Sequence, residues 1–201
     1  MKKLKHIVFD FDGVIADTFD ILYALSLECD PGISDEDFSA HHDGNVYEEP
    51  RIKFTPESSA YLYDEYCKRL SPSHIKEAVE PIKRLASKYR LFIISSNEER
   101  GIHSILKTSG ISDCFKATYG YNTHKSKIVK FEMIRDKFGV NLDEIVFVTD
   151  TLGDVKEANK LGIKTIAETF GFHNRERLSQ GNPFKIVDTW EEIENEIKLL
   201  T

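Results

Sequence analysis

Cysteine is scarce in this chain of 201 residues: there are three, Cys29, Cys67 and Cys114. They are widely spaced, odd in number and without a Cys-x-x-Cys pair, so they read as reduced, buried thiols of a cytoplasmic protein rather than as a disulfide framework. Long apolar runs are also missing. The basic start, Met1 to His6, leads into Ile7-Val8-Phe9 and stops at Asp10, far too short for an export signal. No later stretch approaches the roughly 18 apolar residues of a membrane helix, so no membrane partner is expected. Positive charge is in deficit: 27 Lys+Arg stand against 34 Asp+Glu, a net −7. A general nucleic-acid binder rests on a basic face that neutralises phosphates, so nucleic acid is excluded as a partner. Repeats and low-complexity tracts are absent. What remains, 40% hydrophobic and 30% charged, is the composition of a soluble globular protein. A chain of this length buries about 70% of its unfolded surface and needs no disulfide or metal staple to fold.

Short apolar runs alternate with helical periodicities. Ile7-Val8-Phe9, Leu91 to Ile94, Ile145 to Val148 and Lys164 to Ala167 read as buried strands. Phe115 to Tyr119 and Phe184 to Val187 are weaker signals of the same kind. Between them, Ile102/Ile105/Leu106, Ile128/Phe131/Ile134/Phe138 and Val155/Ala158/Leu161 recur at helical spacing, the last stopped by Gly162. Thr189-Trp190-Glu191-Glu192 is a capping-box pattern opening a final helix. Apolar strands alternating with helices predict an α/β fold, a doubly wound parallel sheet covered on both sides.

Residues 16–79 break the rhythm with helical pieces and no good strand. Asp17 to Leu27 is one piece, stopped by Asp30-Pro31-Gly32; Thr55 caps another that runs to Leu70. A third follows Ser71-Pro72-Ser73, and Glu80-Pro81 is expected to end it and begin a fourth. The expectation is a catalytic core of 1–15 and 80–201 carrying an inserted helical cap, 16–79.

The first strand delivers Asp10-Phe11-Asp12-Gly13. Residues two apart on a strand point the same way, so both carboxylates project from its C-terminal end. Ligands of open α/β sheets bind there, where the strand order reverses. Two carboxylates sharing a crevice repel unless a cation or a proton intervenes; the plain alternative is a solvated acidic turn. Later strands add Ser95-Ser96-Asn97 ahead of a helix, which is either an anion site or ordinary capping. They also add His124-Lys125-Ser126-Lys127 and Thr149-Asp150-Thr151-Leu152-Gly153-Asp154.

In order and spacing these segments resemble the haloacid dehalogenase-like hydrolase superfamily, in its phosphoglycolate phosphatase and β-phosphoglucomutase-like branch. Asp10 to Val14 matches the first motif, Ser95 the second, Lys125 the third, and Asp150 with Asp154 the fourth. The cap of that family also lies between its first and second motifs. The resemblance implies a Rossmann-like core and a Mg²⁺-dependent phosphatase acting on a small phosphorylated metabolite. It implies Asp10 as nucleophile, forming an aspartyl-phosphate, and Asp12 as the acid and base. Asp10, the Asp12 carbonyl and Asp150 would hold Mg²⁺, with Asp154 supporting its water shell or orienting Lys125. Ser95 and the Ser96 amide would bind the phosphoryl group, and Lys125 would offset its charge.

Two choices stay open along the chain. Ser96 stands beside Ser95, and Lys127 competes with Lys125, although Lys125 has the family spacing. Thr149 stands where many relatives carry glycine or glutamate, with no evident physical reading. In the cap, His41 to Asn45 is the candidate loop closing over the site, with His42, Gly44 and Asn45 as candidate substrate contacts. Tyr61, Tyr63 and Tyr66 read as cap core. The alternatives for function are a phosphomutase of the β-phosphoglucomutase type, using the same motifs, and a non-catalytic phospho-switch on a similar sheet. The switch is disfavoured because Phe11 separates Asp10 from Asp12, where receiver domains carry adjacent acids.

Overall fold

Strands that are apolar at every position are stable only where both faces of their sheet are covered. In the computed structural model, which describes residues 4–48 and 50–201, six segments pair, the central ones buried almost throughout. They are β1 (His6–Phe9), β2 (Arg90–Ile94), β3 (Phe115–Tyr119), β4 (Ile145–Thr149), β5 (Lys164–Glu168) and β6 (Lys185–Val187). All neighbours are parallel, in the order β3-β2-β1-β4-β5-β6. The expected doubly wound sheet is therefore present, and the order reverses between β1 and β4. Phe9 lies opposite Ile93 on one side and Val148 on the other, which brings the ends of β1, β2 and β4 level.

Alternation along the strands divides the core. Ile7, Phe9, Leu91, Ile93, Val146 and Val148 face one layer with α4 (Lys76–Ala86), α5 (Glu99–Thr108) and α9 (Trp190–Leu199). Val8, Phe92, Ile94 and Phe147 face the other, with α6 (Lys127–Phe138) and α7 (Leu152–Lys160). A short α8 (Arg175–Ser179) packs Leu178 against Val155 and Ala167. Thr189 caps α9 by accepting the Glu192 amide at 3.2 Å, as its sequence pattern implies. All three cysteines are free and half-buried.

Between β1 and β2 lie α1 (Phe19–Cys29), α2 (Asp35–His41) and α3 (Pro56–Arg69), with no strand among the described residues of that stretch. Thr55 caps α3 through the Ser58 amide at 3.1 Å. Helix α2 follows a capping box of Ser34 and Asp37, a signal readable in the sequence and passed over there. Pro81 does not break its helix. One turn of 3₁₀ helix, Pro72–Ile75, runs directly into α4, and Pro81 sits inside it. The backbone bond that Pro81 forgoes would reach the carbonyl of exposed Glu77, which water can satisfy. Buried Ala78, Pro81, Ile82 and Leu85 hold the helix on the sheet. The boundary expected at 79/80 thus falls within α4, whose buried face joins the core layer.

Candidate active site

β1 ends in Asp10, whose amide bonds the Val148 carbonyl at 2.9 Å and ties the turn to β4. Gly13 follows at φ +79°, and a Cβ there would lie 1.8 Å from Asp150 Oδ2; only glycine permits both. The first strand and Asp150 can approach each other because that side chain is missing.

Asp10 is 6% exposed. Its Oδ1 accepts the Phe11 amide at 2.7 Å, and its Oδ2 lies 2.8 Å from Lys127 Nζ. Burial pushes its carboxyl well above the ordinary range; the Lys127 ammonium opposes this, and Asp154 and Asp150 reinforce it. Asp12 occupies a different environment. Its Oδ1 accepts Tyr66 Oη at 2.6 Å and Thr18 Oγ1 at 2.9 Å, while Oδ2 accepts Asn97 Nδ2 at 3.3 Å and faces Ser95 Oγ at 3.5 Å. Burial raises the Asp12 pKa and these donors, Tyr66 foremost, restrain the rise. The two carboxylates leave one strand end but face different partners.

The lysine that faces Asp10 is Lys127, whereas Lys125, expected there from its spacing, lies away from it. Lys127 opens α6, and side chains at a helix start lean back over its N-terminus. Its ammonium lies 5.7 Å from the centroid of the Phe147 ring and meets Asp10 and, at 2.5 Å, Asp154. Lys125 precedes the helix, is exposed, and places its Nζ 5.5 Å over the Tyr47 ring. One turn further along α6, Lys130 is fully buried and donates to the Ser95 carbonyl at 2.6 Å. Burial, with Lys127 nearby, lowers its pKa to about 8. Lys130 went unread in the sequence, although Lys127 and Lys130 share a face with buried Phe131 and Ile134.

Ser95 is fully buried and its Oγ accepts the Asn97 amide at 2.9 Å. Asn97 in turn accepts the Glu98 amide at 2.8 Å, and Asn122 takes that of Glu99 at 3.2 Å. Ser96, half-buried, lines the cavity, and its carbonyl accepts Tyr47 Oη. Tyr63 stacks on Tyr121 with centroids 4.8 Å apart and its hydroxyl meets that of Tyr47 at 3.1 Å. Of the three tyrosines expected to be core, Tyr66 is buried and touches Asp12, Tyr63 belongs to this stack, and Tyr61 is exposed and bonds Glu28 at 2.7 Å.

At the end of β4, Asp154 Oδ2 accepts Thr149 Oγ1 at 2.7 Å, which gives Thr149 its physical role: it fixes the carboxylate that faces Lys127. Despite burial, Lys127 holds the Asp154 carboxyl below its ordinary range. Asp150 is fully buried; Oδ2 accepts the Phe172 amide at 2.8 Å, while Oδ1 has no partner among the described residues. Burial, set against that bond, raises its pKa to about 7. β5 adds Glu168, a carboxyl absent from the sequence reading although the strand ends in an acid as β1 and β4 do. Its Oε2 accepts the Phe170 and Gly171 amides at 2.6 and 3.1 Å, and Oε1 is buried without a partner among the described residues. Burial, with Asp150 close by, raises its pKa well above the ordinary value. A Cβ on Gly171 would lie 2.4 Å from Asp150 Oδ2 and 2.7 Å from Glu168 Oε1.

The cap loop reaches this crevice. His42, Gly44 and Asn45 line one cavity of about 480 Å³ with Asp10, Asp12 and Lys127. The Gly153 amide donates to the His42 carbonyl at 3.0 Å, and Asn45 Nδ2 to Glu157 Oε1 at 3.2 Å. His173 accepts the Leu152 amide on Nδ1 at 2.9 Å, so its Nε2 carries the proton donated to Ser39 O at 2.8 Å.

A family model described as haloacid dehalogenase-like hydrolase matches residues 7–168. A phosphoglycolate phosphatase of Haemophilus influenzae is 24% identical over 163 residues, covering 78% of this chain and 71% of the relative. One of Synechococcus elongatus is 23% identical over 198 residues, covering 92% and 93%. Among solved structures, a haloacid dehalogenase-like hydrolase of Streptococcus pneumoniae superposes with a TM-score of 0.74 at 17% identity, covering 98% and 99%. A protein of Clostridium acetobutylicum described as a predicted phosphatase does so at 0.74 and 20%, with the same coverage. These two likenesses concern the fold.

Proposed function

The chain belongs to the haloacid dehalogenase-like hydrolase family, and from that premise we propose that it hydrolyses phosphate monoesters of small metabolites through a phosphoaspartate at Asp10. The observation that carries this reading is the division of labour between Asp10 and Asp12. Asp10 faces an ammonium, which opposes the rise that burial gives its pKa and so favours the ionised, nucleophilic carboxylate. Asp12, with its raised pKa and its set of hydroxyl and amide donors, suits a group that gives and retakes a proton.

An Asp10 oxygen attacks phosphorus while the ester P–O bond breaks, and the Asp12 proton passes to the departing alkoxide. Asp12, now a carboxylate, takes a proton from water as the water oxygen attacks phosphorus. The P–O bond to Asp10 breaks and inorganic phosphate leaves with Asp10 restored. Lys127 offsets charge beside Asp10, Asp154 and Thr149 hold Lys127 in place, and Ser95 and Ser96 shape the phosphoryl seat.

The donor set fits Mg²⁺: Oδ1 of Asp150, buried and without a partner among the described residues, the Asp10 carboxyl raised by burial and then by Asp154 and Asp150, and a cradle narrowed by two glycines. The Asp10 and Asp150 carboxylates with the Asp12 carbonyl would hold it. When bound it supplies positive charge at the transferring phosphoryl oxygens. Oδ2 of Asp154 is engaged by Lys127 and Thr149, so Asp154 serves as the lysine's partner. His42, Gly44 and Asn45 would contact substrate from the cap, 16–79. Phosphate release from a panel of phosphorylated metabolites, with and without Mg²⁺, tests the reading. Asp10→Asn should lower kcat by at least about 10³-fold. Turnover persisting in that variant, or unchanged by chelation, refutes it; interconversion of sugar phosphates without release makes the protein a mutase.

A further inference from the structure

The cavity of about 480 Å³ has two unlike kinds of lining. Asp10, Asp12, Lys127, Asp154 and Glu157 supply charge. Leu22, Phe38, Ile52, Phe54, Leu62 and Phe172 supply apolar wall, most of them in one apolar cluster. We propose that the substrate is the phosphate monoester of an uncharged, largely apolar alcohol of about six carbons or more, whose chain or ring packs on the apolar wall while its phosphate meets Asp10. This inference rests on the phosphatase reading and adds the substrate class.

Charge in the cavity argues the same way. Among the described lining residues the cations are Lys127, already engaged by Asp10 and Asp154, and Lys53, which is exposed. His41 and His42 are neutral: burial lowers their pKa values to about 4 and about 3. A second anionic group on the substrate, such as a carboxylate two carbons from the phosphate, would meet Asp12, Asp154 and Glu157 without a free buried cation. Such like-charge burial is costly.

Three polar groups of the walls are engaged within the protein. Ser26 Oγ donates to the Leu22 carbonyl at 2.8 Å, His42 Nδ1 donates to the Phe38 carbonyl at 2.9 Å, and the Tyr47 hydroxyl bonds Ser96 O and Tyr63. A two-carbon alcohol would leave most of an apolar-walled space to water, whereas an alkyl or aryl group would displace that water favourably.

A series of primary alkyl phosphates from ethyl to octyl, assayed with 2-phosphoglycolate in Mg²⁺ buffer, tests the inference while keeping the leaving group's basicity constant. Specificity, kcat/KM, should rise about fourfold per buried methylene until the cavity is full. It should reach at least tenfold between ethyl and hexyl phosphate, and hexyl phosphate should exceed 2-phosphoglycolate. Leu62→Gln should lower the hexyl-to-ethyl ratio about tenfold, and a ratio is unmoved by a smaller folded fraction. A flat or falling series, an unchanged ratio in Leu62→Gln, or a preference for 2-phosphoglycolate overturns the inference and leaves the phosphatase reading standing. Release of phosphate from none of these esters nor from any metabolite of the panel overturns both.

Discussion

Replacing Lys127 by methionine keeps an unbranched apolar stem and removes one buried ammonium. In the wild type that ammonium lies 2.8 Å from Asp10 and 2.5 Å from Asp154, with the lysine only 2% exposed, so solvent and salt screen little of the interaction. Breaking a buried pair by deleting one partner costs about 3–5 kcal/mol. Here two carboxyls lose their counter-charge, and the loss is limited because they can take up protons. For a chain of this size the cost corresponds to a fall in Tm on the order of 10 °C. The same substitution removes charge compensation at the nucleophile and should lower kcat by about 10²–10³-fold. Lys125→Met removes only an exposed cation over the Tyr47 ring, worth about 0.5–1 kcal/mol and no more than about fivefold in rate. Urea unfolding and phosphate release from both variants decide the matter. Loss of activity in Lys125→Met with Lys127→Met retaining wild-type stability and rate would refute the assignment.

Further consequences follow from the same geometry. Asp150 is raised from an ordinary value near 4 to about 7, so its carboxyl favours the fold fully below pH 4, and about 4 kcal/mol of that preference is lost as pH rises through 7 in metal-free protein. Mg²⁺ should therefore raise Tm more at pH 8 than at pH 5 in thermal melts; equal shifts would count against Asp150 as a ligand. Tyr66→Phe removes the donor that most restrains the Asp12 pKa, so the alkaline fall of kcat should move up by about one pH unit, and an unmoved profile would dissociate Tyr66 from the acid. Gly171→Ala places a methyl 2.4 Å from Asp150 Oδ2; calorimetric titration should show at least about tenfold weaker Mg²⁺ binding, and wild-type affinity would mean that the cradle yields.

The sheet was legible because continuous apolar strands and helical spacings carry their own period, and because Asp10, Asp12 and Asp150 fall at strand ends. Interior detail was less so. Pro81 signals a break, but a buried face and a water-accessible Glu77 carbonyl override it. The two lysines around Ser126 differ by two residues, and motif spacing favoured Lys125; the start of α6 and the lean of its side chains bring Lys127 to Asp10. Lys130, Tyr66 and Glu168 act through partners far away in sequence, Ser95, Asp12 and Asp150. No local pattern encodes those contacts. Thr149 became interpretable only when Asp154 was seen beside it.

The central claim is that phosphorus passes through a covalent bond to Asp10. Rapid acid quench of the enzyme turning over a labelled phosphate monoester, followed by peptide mass spectrometry, tests it directly. The account predicts an acid-stable, hydroxylamine-labile phosphoryl group on the peptide containing Asp10, absent from Asp10→Asn and accumulating in Asp12→Asn. Label on another residue, or rapid turnover with no labelled intermediate in either wild type or Asp12→Asn, would contradict it.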